Sequence, residues 1–495
     1  MKTLLLVNMT DLADVYPEDV SDIQKAIEAF ARRHNGDILD IDEIYQEKTG
    51  KHIKIPEYPN PKLTEMAREI KSEIISQTGG KLDYLILVGD ENIIPMWEIS
   101  LDRLRLHTDS FYADLNDDGF PEVVVTRILG NAEAMKRQLS ENSQIGGPET
   151  SILCSEDTRI HLETQRFLDV LTHQGHQVAV MGRGGAEQLP QSDLIIHFGH
   201  GTPQSLSNRF GEDFVTAKGM PTLSRHPIAI VDGCATTPPG SALLRAFLNN
   251  GCRAYLGSTA TVAGMTPARY TNQLVMHFLD AYQAHPEWPV AKLLSVARTE
   301  YANVTNLCDI LLELEQTGTI QRFDREKSTH LMTFLEWHAY GDPFACLHQG
   351  AARSVFAKHS LVKSPMPLSV GKKNVVEATF ELENTDGQPI LFLRADWLNS
   401  ISSALVVQIE QNGQVIHELQ GDASIIYQHL EDICVGGYVD GELYHAYWLL
   451  PLQREVGQNN LQVELMSQEG SLTILPESAI EIWPDWETIS APDEK

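Results

Sequence analysis

Residues 193–202 read Asp-Leu-Ile-Ile-His-Phe-Gly-His-Gly-Thr, and residues 227–236 read Pro-Ile-Ala-Ile-Val-Asp-Gly-Cys-Ala-Thr. Each stretch begins with an apolar run of strand length and ends with glycine beside a reactive side chain, His200 in the first and Cys234 in the second. Apolar runs of this length are typical of buried strands in a parallel sheet. Because the carboxyl ends of such strands lie along one edge of the sheet, we expect His200 and Cys234 to meet there.

A histidine and a cysteine placed in this way can form the dyad of a thiol nucleophile. The imidazole of His200 would assist formation of the Cys234 thiolate and then protonate the leaving amine. The backbone N–H groups of Gly201 and Cys234 would provide an oxyanion hole. A structural histidine beside glycines and a buried structural cysteine explain the same residues, and from the residues alone both interpretations stay open.

The same alternation of strands and helices extends over residues 1–350 and predicts an α/β architecture. Gly146-Gly147-Pro148 is a predicted linker, which gives an N-terminal α/β subdomain at 1–146 and a catalytic α/β subdomain at 147–355. The strands are predicted at 3–8, 83–88, 122–128, 151–154, 176–181, 193–198, 227–231 and 253–257, and the helices at 22–33, 63–75, 161–173, 241–249, 268–284 and 289–301.

The sequence changes character after about residue 360. Runs rich in β-branched residues alternate with turn signals at Asp386-Gly387 and Asn412-Gly413, and no long helical period is present. This pattern predicts a β-sandwich of immunoglobulin-like size at 360–487. Residues 488–495 are predicted to form a frayed acidic tail.

Composition excludes several classes of protein. The 495 residues include 38 Lys plus Arg against 68 Asp plus Glu, a formal net charge of −30. This balance argues against binding to duplex nucleic acid, which depends on neutralised phosphates, and against adhesion to an anionic membrane surface. The longest apolar runs are far shorter than the roughly 20 residues of a membrane span.

The termini and the cysteines bear on location. The N-terminus has no clear signal peptide, so we expect a cytoplasmic protein, although a secreted mature form without its leader would read the same. The six cysteines are scattered without a C-x-x-C pair, which predicts neither a disulfide scaffold nor a structural zinc site.

One acidic loop is a candidate for calcium. Asp114, Asn116 and Asp118, followed by Gly119, match the first half of an EF-hand loop, in which alternating oxygens converge on Ca²⁺. The Glu expected at the twelfth position is absent, because that position is Val125. A turn rich in Asp and Gly explains the same residues without an ion. We expect no cofactor to be required, with Ca²⁺ as a candidate structural ion.

The motifs together resemble the gingipain-like cysteine peptidases, which share the caspase-type fold with legumain, metacaspases and separase. The pairs that carry the resemblance are His200-Gly201 and Gly233-Cys234, with Gly233 in place of the usual Ala. Further segments similar to the family are Tyr84-Leu-Ile-Leu-Val-Gly-Asp90 with Ile94-Pro95, Thr108-Asp-Ser-Phe-Tyr112 with Asp118-Gly119, Glu122-Val-Val-Val-Thr-Arg127, and Tyr340-Gly-Asp-Pro343. The resemblance implies two caspase-like α/β/α subdomains followed by an immunoglobulin-like β-sandwich.

The resemblance also implies roles for residues outside the dyad. Glu156 matches the carboxylate that orients the histidine, and Asp157 lies on the loop where gingipains carry their specificity acid. Ser258 and Thr259 resemble the segment that pairs with an extended substrate backbone. Each of these residues could equally be an ordinary polar residue of a loop or a strand end.

Asp232 is the primary candidate for substrate specificity. It lies two positions before Cys234, so alternation along an extended strand should direct both side chains to the same side. A carboxylate beside the nucleophile can pair with an arginine or lysine on the acyl side of the cleaved bond. Metacaspases, which cleave after Arg or Lys, carry an Asp at the same position relative to the cysteine. Capping of a loop by Asp232 is the alternative.

The sequence therefore predicts a cysteine endopeptidase that cleaves protein or peptide substrates after Arg or Lys through Cys234 and His200. Because an intracellular peptidase must be restrained, we also expect control by a regulatory protein partner, by an ion or by self-cleavage, and the sequence leaves these three open. Two alternatives remain: a catalytically silent caspase-like platform that acts as a binding protein, and a transpeptidase or ligase that uses the same thioester.

Overall fold

The computed structural model describes residues 2–56, 60, 62–101, 104–116, 118–140, 146–154, 167, 170–171, 174–181, 186–208, 211–262, 270–317, 325–348, 358–369, 374–383, 388–398, 405–421, 427–430, 433–440, 443–466, 471–475 and 478–483. The chain divides into two compact units. The first comprises residues 1–160, 174–264 and 269–351, and the second comprises residues 161–173, 265–268 and 352–495.

The first unit is a mixed α/β structure, as the sequence predicted. Its described strands are β1 Thr3–Val7, β2 Asp37–Asp40, β3 Tyr84–Val88, β4 Trp97–Leu101, β5 Leu104–Thr108, β6 Val124–Ile128, β7 Glu149–Cys154, β8 Gln177–Met181, β9 Leu194–Phe198, β10 His200–Gly201, β11 Ser205–Ser207, β12 Asp213–Thr216, β13 Ile228–Asp232, β14 Ala254–Ser258 and β15 Trp337–Gly341. Its described α-helices are α1 Met9–Val15, α2 Val20–Arg33, α3 Ile41–Thr49, α4 Lys62–Thr78, α5 Ala132–Gln138, α6 Ala242–Asn249, α7 Thr271–Ala284, α8 Val290–Val304, α9 Cys308–Thr317 and α10 Arg325–Glu336. Most of the helix predicted at 161–173 lies outside the described residues.

One ten-stranded sheet runs through this unit in the order β2-β1-β3-β6-β15-β14-β13-β9-β7-β8. Strands from both sides of the predicted linker belong to it, and β15 lies between β6 and β14. The described pairs are parallel except for β14 with β15. The division into subdomains at residue 146 stays a prediction, because the sheet itself is continuous there.

Strands β9 and β13 form the centre of the second half of the sheet. Every residue of both strands is buried, which agrees with their uninterrupted apolar sequences. Ala229 and Val231 of β13 pack with Leu243 and Phe247 of α6 in one apolar cluster. The Ser241 side chain caps α6 by accepting a hydrogen bond from the Leu244 N–H. This packing fixes the chain on either side of Cys234.

The second unit contains antiparallel sheets. Its described strands are β16 Lys358–Ser360, β17 Met366–Ser369, β18 Val375–Leu382, β19 Gln388–Leu398, β20 Leu405–Gln411, β21 Gln414–Gly421, β22 Tyr427–Leu430, β23 Ile433–Asp440, β24 Leu443–Pro451, β25 Gly457–Leu465, β26 Ser471–Ile474 and β27 Ala479–Trp483. An eight-stranded sheet has the order β16-β27-β19-β24-β23-β22, with β26 also paired to β19 and to β17. A four-stranded sheet has the order β18-β25-β20-β21.

Side chains from both antiparallel sheets share one apolar core. Leu391 and Leu393 of β19 belong to the same buried cluster as Val376 of β18 and Val463 of β25. The hairpin predicted at Asn412-Gly413 is present between β20 and β21, and both residues have positive φ, as a two-residue turn of type I′ requires. The immunoglobulin-like assignment stays a prediction, and Asp386-Gly387 and the acidic tail at 488–495 lie outside the described residues.

Within the described part of the chain, no helix combines the length and the apolar sequence that crossing a membrane requires. The location of the protein in the cell stays a prediction.

Candidate active site

Cys234 lies two residues beyond the end of β13, in a loop held by neighbouring backbone. The Ala235 N–H donates to the Ala260 carbonyl oxygen at 2.6 Å, and the Thr237 N–H donates to the Ser258 carbonyl oxygen at 2.8 Å. The Cys234 thiol is half-buried, with Sγ 3.8 Å from the Val262 carbonyl oxygen. Ala235 has φ +49°, a left-handed conformation that is uncommon for a residue with a side chain. The turn thus places an uncommon backbone conformation directly after the nucleophile candidate.

His200 lies beyond the end of the adjacent strand, β9. The register of β9 and β13 places Phe198 beside Asp232, and the Gly199 N–H donates to the Asp232 carbonyl oxygen at 3.1 Å. His200 is exposed and begins β10, which pairs with β11 through His200 and Ser207. The predicted meeting of the two strand ends at one edge of the sheet is therefore present.

The backbones of the two loops touch at a pair of glycines. A Cβ added to Gly201 would lie 2.9 Å from the carbonyl carbon of Gly233 and 3.0 Å from the carbonyl oxygen of Cys234. A Cβ added to Gly233 would lie 3.2 Å from the Cα of Gly201. Glycine at both positions permits this close approach, which brings the residues after His200 and before Cys234 into contact.

His197 supports the loop that carries His200. Its imidazole is buried in β9, and Nε2–H donates to the His200 carbonyl oxygen at 3.1 Å. Burial lowers the pKa of His197 to about 4, so the ring is neutral at ordinary pH. His197 therefore packs within β9 and supports the loop through this hydrogen bond.

Asp232 is a buried carboxyl group directly beside the nucleophile candidate. Only 6% of the residue is exposed, and no hydrogen-bond donor reaches its Oδ1. Burial raises the pKa of Asp232 to about 7. Burial, and after it the charges of Asp232 and Glu336, raise the pKa of the Cys234 thiol.

Glu336, at the end of α10, is a site residue that the sequence analysis missed. It is fully buried, and neither carboxylate oxygen has a donor in hydrogen-bonding geometry. Burial raises its pKa well above the ordinary value, the charge of Asp232 raises it further, and the nearby hydroxyls of Ser258 and Thr271 act in the opposite direction. A glutamate among the apolar residues of Phe334-Leu-Glu-Trp337 was the available signal, since an acid there must be buried or mark a helix end.

Ser258 and Thr259 are buried close to the nucleophile loop, but several of their polar groups are already engaged. The Ser258 hydroxyl donates to the Ala260 carbonyl oxygen at 2.9 Å. The Thr259 N–H donates to the Glu336 carbonyl oxygen at 2.9 Å, and its hydroxyl donates to the His107 carbonyl oxygen at 2.7 Å. These contacts give both residues a structural role, and their substrate-binding role stays a prediction. Glu156 and Asp157 lie outside the described residues.

The acidic loop brings three carboxyl groups together. Oxygens of Asp114, Asp118 and Glu122 lie within 4.8 Å of one another, and Glu122 was not among the predicted ligands. Backbone N–H groups of the loop also use these side chains: Gly119 donates to Asp114 Oδ2 at 2.7 Å, and Asp118 donates to Asn116 Oδ1 at 3.0 Å. Burial raises the pKa of Glu122 to about 7. The loop geometry accommodates both the turn and the ion interpretation.

Residues 10–142 match the sequence model described as peptidase family C25. The predicted resemblance to the gingipain-like cysteine peptidases is confirmed. The predicted class of enzyme, a cysteine peptidase, is supported by the same match. The matched segment ends before His200 and Cys234, so it does not cover the candidate dyad.

Solved structures resemble the chain over nearly its whole length. A structure described as a protease is 11% identical, with 96% of this chain and 97% of that chain covered and a TM-score of 0.48. The Arg-specific cysteine proteinase gingipain R (RgpB) is 12% identical, covering 97% and 96%, with a TM-score of 0.47. The complex of RgpB pro- and mature domains from Porphyromonas gingivalis is 12% identical, covering 97% and 99%, with a TM-score of 0.47. No protein with a curated description matches the chain.

Proposed function

We propose that the protein is a cysteine endopeptidase in which Cys234 is the nucleophile and His200 is the general acid and base. The observation that carries this proposal is the contact between Gly201 and Gly233, which joins the two loops at the carboxyl ends of β9 and β13. A half-buried thiol and an exposed imidazole at a shared sheet edge are the groups that thiol catalysis needs.

The reaction would proceed through a thioester. His200 accepts the thiol proton of Cys234, and Sγ attacks the carbonyl carbon of the scissile bond. The N–H groups of Gly201 and Cys234 stabilise the oxyanion. The C–N bond breaks as His200 gives its proton to the leaving amine, and water activated by His200 then hydrolyses the thioester. Glu156 is the proposed orienting residue of the imidazole.

Specificity for Arg or Lys on the acyl side of the cleaved bond is proposed for Asp232. Its buried Oδ1 lacks a donor, and a guanidinium or ammonium group would supply one. Asp157 is the backup candidate because of its place on the loop that gingipains use. A protein or peptide substrate follows from the peptidase class, and a regulatory protein partner is proposed with it.

The decisive test uses an electrophilic peptide probe with arginine at the reacting position. We expect labelling of the wild-type protein, no labelling of Cys234→Ala, and labelling of Cys308→Ala, whose half-buried cysteine serves as the control. Hydrolysis of a matched fluorogenic peptide should be lost in Cys234→Ala and in His200→Ala, with the circular dichroism spectrum unchanged. Near-normal turnover in either variant would eliminate the dyad.

The same assay separates the alternatives. A catalytically silent binding platform would leave Cys234 unlabelled with or without calcium. A transpeptidase or ligase would form the thioester but transfer it to an added amine, so mass spectrometry of the products would show the new amide in excess over the hydrolysed acid.

A further inference from the structure

His197 is a polar side chain inside the apolar strand β9. It is fully buried, and its neighbours in the strand, Ile196 and Phe198, are buried and apolar. Burying an imidazole is costly unless it is hydrogen-bonded, and an apolar side chain would fill the same position without that cost. The hydrogen bond from His197 Nε2–H to the His200 carbonyl oxygen, at 3.1 Å, reaches the loop of the proposed dyad. This bond therefore gives a reason for a histidine at this position.

The bond acts on the peptide unit that joins His200 to Gly201. In a trans peptide the C=O and the following N–H lie in one plane and point in opposite directions. Because His197 holds the His200 carbonyl oxygen in the protein interior, the Gly201 N–H must point away from His197. The orientation of this N–H is therefore set by a side chain that lies four residues before Gly201 in the chain.

The pairing of β10 with β11 leaves the same N–H free. The Thr202 N–H donates to the Ser205 carbonyl oxygen at 2.9 Å, and Gly201 is paired with Leu206. Hydrogen-bonded and non-hydrogen-bonded pairs alternate along an antiparallel ladder, so Gly201 lies in a non-hydrogen-bonded pair and its N–H points away from β11. The Gly201 nitrogen lies beside the nucleophile loop, since a Cβ added to Gly233 would be 3.3 Å from it.

His197 also contacts the two segments on either side of this peptide. A Cβ added to Gly233 would lie 3.4 Å from His197 Cδ2, so the imidazole packs against the residue that precedes Cys234. The ring of Phe214 in β12 meets the imidazole nearly edge-on, with the ring centroids 5.7 Å apart. His197 thus lies where β9, the nucleophile loop and the sheet that begins at His200 come together.

We propose that His197 is a positioning residue that holds the His200–Gly201 peptide so that the Gly201 N–H is directed at the oxyanion formed when Cys234 attacks the substrate. This inference rests on the proposed function of Cys234 and His200. It assigns the orientation of an oxyanion donor to a side chain that does not itself touch the substrate. Because the oxyanion exists only after the attack, loss of this orientation should lower kcat and leave KM nearly unchanged.

The test compares His197→Leu, which removes the donor, with His197→Gln, whose side-chain amide nitrogen can donate from nearly the position of Nε2. Hydrolysis of a fluorogenic peptide with arginine on the acyl side of the cleaved bond is measured for both. We expect kcat to fall about tenfold to a hundredfold in His197→Leu, because an oxyanion donor is misdirected. His197→Gln should recover most of this loss, because the hydrogen bond to the His200 carbonyl oxygen is restored.

Two further measurements separate this role from a general loss of structure. A peptide aldehyde forms a tetrahedral adduct with the thiol, and the oxygen of this adduct occupies the oxyanion position. Its inhibition constant should therefore rise in His197→Leu by about the factor by which kcat falls. Alkylation of Cys234 by iodoacetamide needs the thiolate but forms no oxyanion, so its rate and its pH dependence should not change.

His176→Leu is the matched control. His176 is another buried histidine of this unit, directly before β8, and its ring is hydrogen-bonded to Thr150 and Tyr282. Its replacement should lower the midpoint of urea unfolding but leave kcat and aldehyde inhibition unchanged.

Several outcomes would overturn the proposal. These are unchanged kcat and aldehyde inhibition in folded His197→Leu, equal losses in His197→Leu and His197→Gln, or alkylation of Cys234 that slows in step with kcat. If His197→Leu does not fold, His197→Asn takes its place, since its shorter amide does not reach the His200 carbonyl oxygen. A wild-type protein that neither hydrolyses the peptide nor is labelled at Cys234 rejects the proposed function itself, whereas an active wild type with an equally active His197→Leu rejects only the role of His197.

Discussion

At the scale of single residues, Asp232 is a buried carboxyl group that lowers the stability of the fold at high pH. Its pKa is raised from 3.8 to about 7 by burial, so the folded state holds the carboxyl in its neutral form over a range of pH where the unfolded chain is ionised. The contribution of this carboxyl group to the free energy of unfolding is fully present below pH 3.8 and is lost as the pH rises through about 7. The reason is that the unfolded chain ionises at a lower pH than the folded protein does. A pKa rise of this size corresponds to a loss of about 4 kcal/mol in the free energy of unfolding at high pH.

Asp232→Asn should therefore stabilise the protein at high pH. We expect the free energy of unfolding at pH 8 to increase by about 2–4 kcal/mol, with the gain shrinking as the pH approaches 4. Urea unfolding followed by circular dichroism at several pH values measures it. Asp213→Asn, at an exposed position in β12, is the control and should show no such pH-dependent gain. A destabilised Asp232→Asn at pH 8 would mean that the carboxylate has a partner that stabilises it.

At the scale of elements, the site depends on the contact between two strand ends. Gly201→Ala would place Cβ 2.9 Å from the Gly233 carbonyl carbon and 3.0 Å from the Cys234 carbonyl oxygen, so backbone must move. We expect kcat/KM to fall about 100-fold or more, because small displacements of catalytic groups are costly. Gly219→Ala is the control, since its Cβ would approach only the Thr216 hydroxyl, at 3.1 Å. Equal activity in the two variants would show that the contact does not position the dyad.

The acidic loop is a second element with a testable role. We propose that Ca²⁺ binds between Asp114, Asp118 and Glu122, whose oxygens already lie within 4.8 Å of one another, with Asn116 as a further ligand. Added Ca²⁺ should raise the midpoint of thermal unfolding by a few degrees, and calorimetry should show binding that is lost in Asp118→Ala and Glu122→Gln. The exposed Asp213→Asn again serves as the control. Heat of binding that persists in both loop variants would remove the loop as the calcium site.

Some of these elements could be predicted from the sequence and others could not. Strands β9 and β13 were predictable because their apolar runs are uninterrupted, and the Asn412-Gly413 hairpin because few residues adopt its positive φ values. The position of β15 between β6 and β14 could not be predicted, because pairing between strands that are distant in sequence produces no periodic pattern in the sequence of either strand. Glu336 stands out in the sequence as an acid among apolar residues, but only the pairing of β14 with β15 brings it to the edge of the sheet near Cys234.

At the scale of the whole first unit, the nucleophile loop is tied to the first half of the chain. Glu91, just after β3, accepts a hydrogen bond from the Gly240 N–H at 2.6 Å. Arg245 of α6 donates to Asp90 at 2.8 Å and lies 3.4 Å from Glu91. Asp90 and Glu91 are buried, and Arg245 is half-buried. Residues about 150 positions apart thus hold the segment between Cys234 and α6 in place.

Glu91→Gln should weaken this connection and reveal whether the site depends on it. We expect the free energy of unfolding to fall by about 1–3 kcal/mol, because a buried acceptor loses its charge, and kcat to fall at the same time, because the loop that carries Cys234 loses its support. Glu73→Gln is the control: it removes the partner of Lys48 in a pair near the surface and should change stability by no more than about 0.5 kcal/mol. Chemical unfolding and steady-state kinetics on the same preparations give both quantities. A loss of stability with unchanged kcat would show that the first half of the chain supports the fold of the unit but does not position the nucleophile.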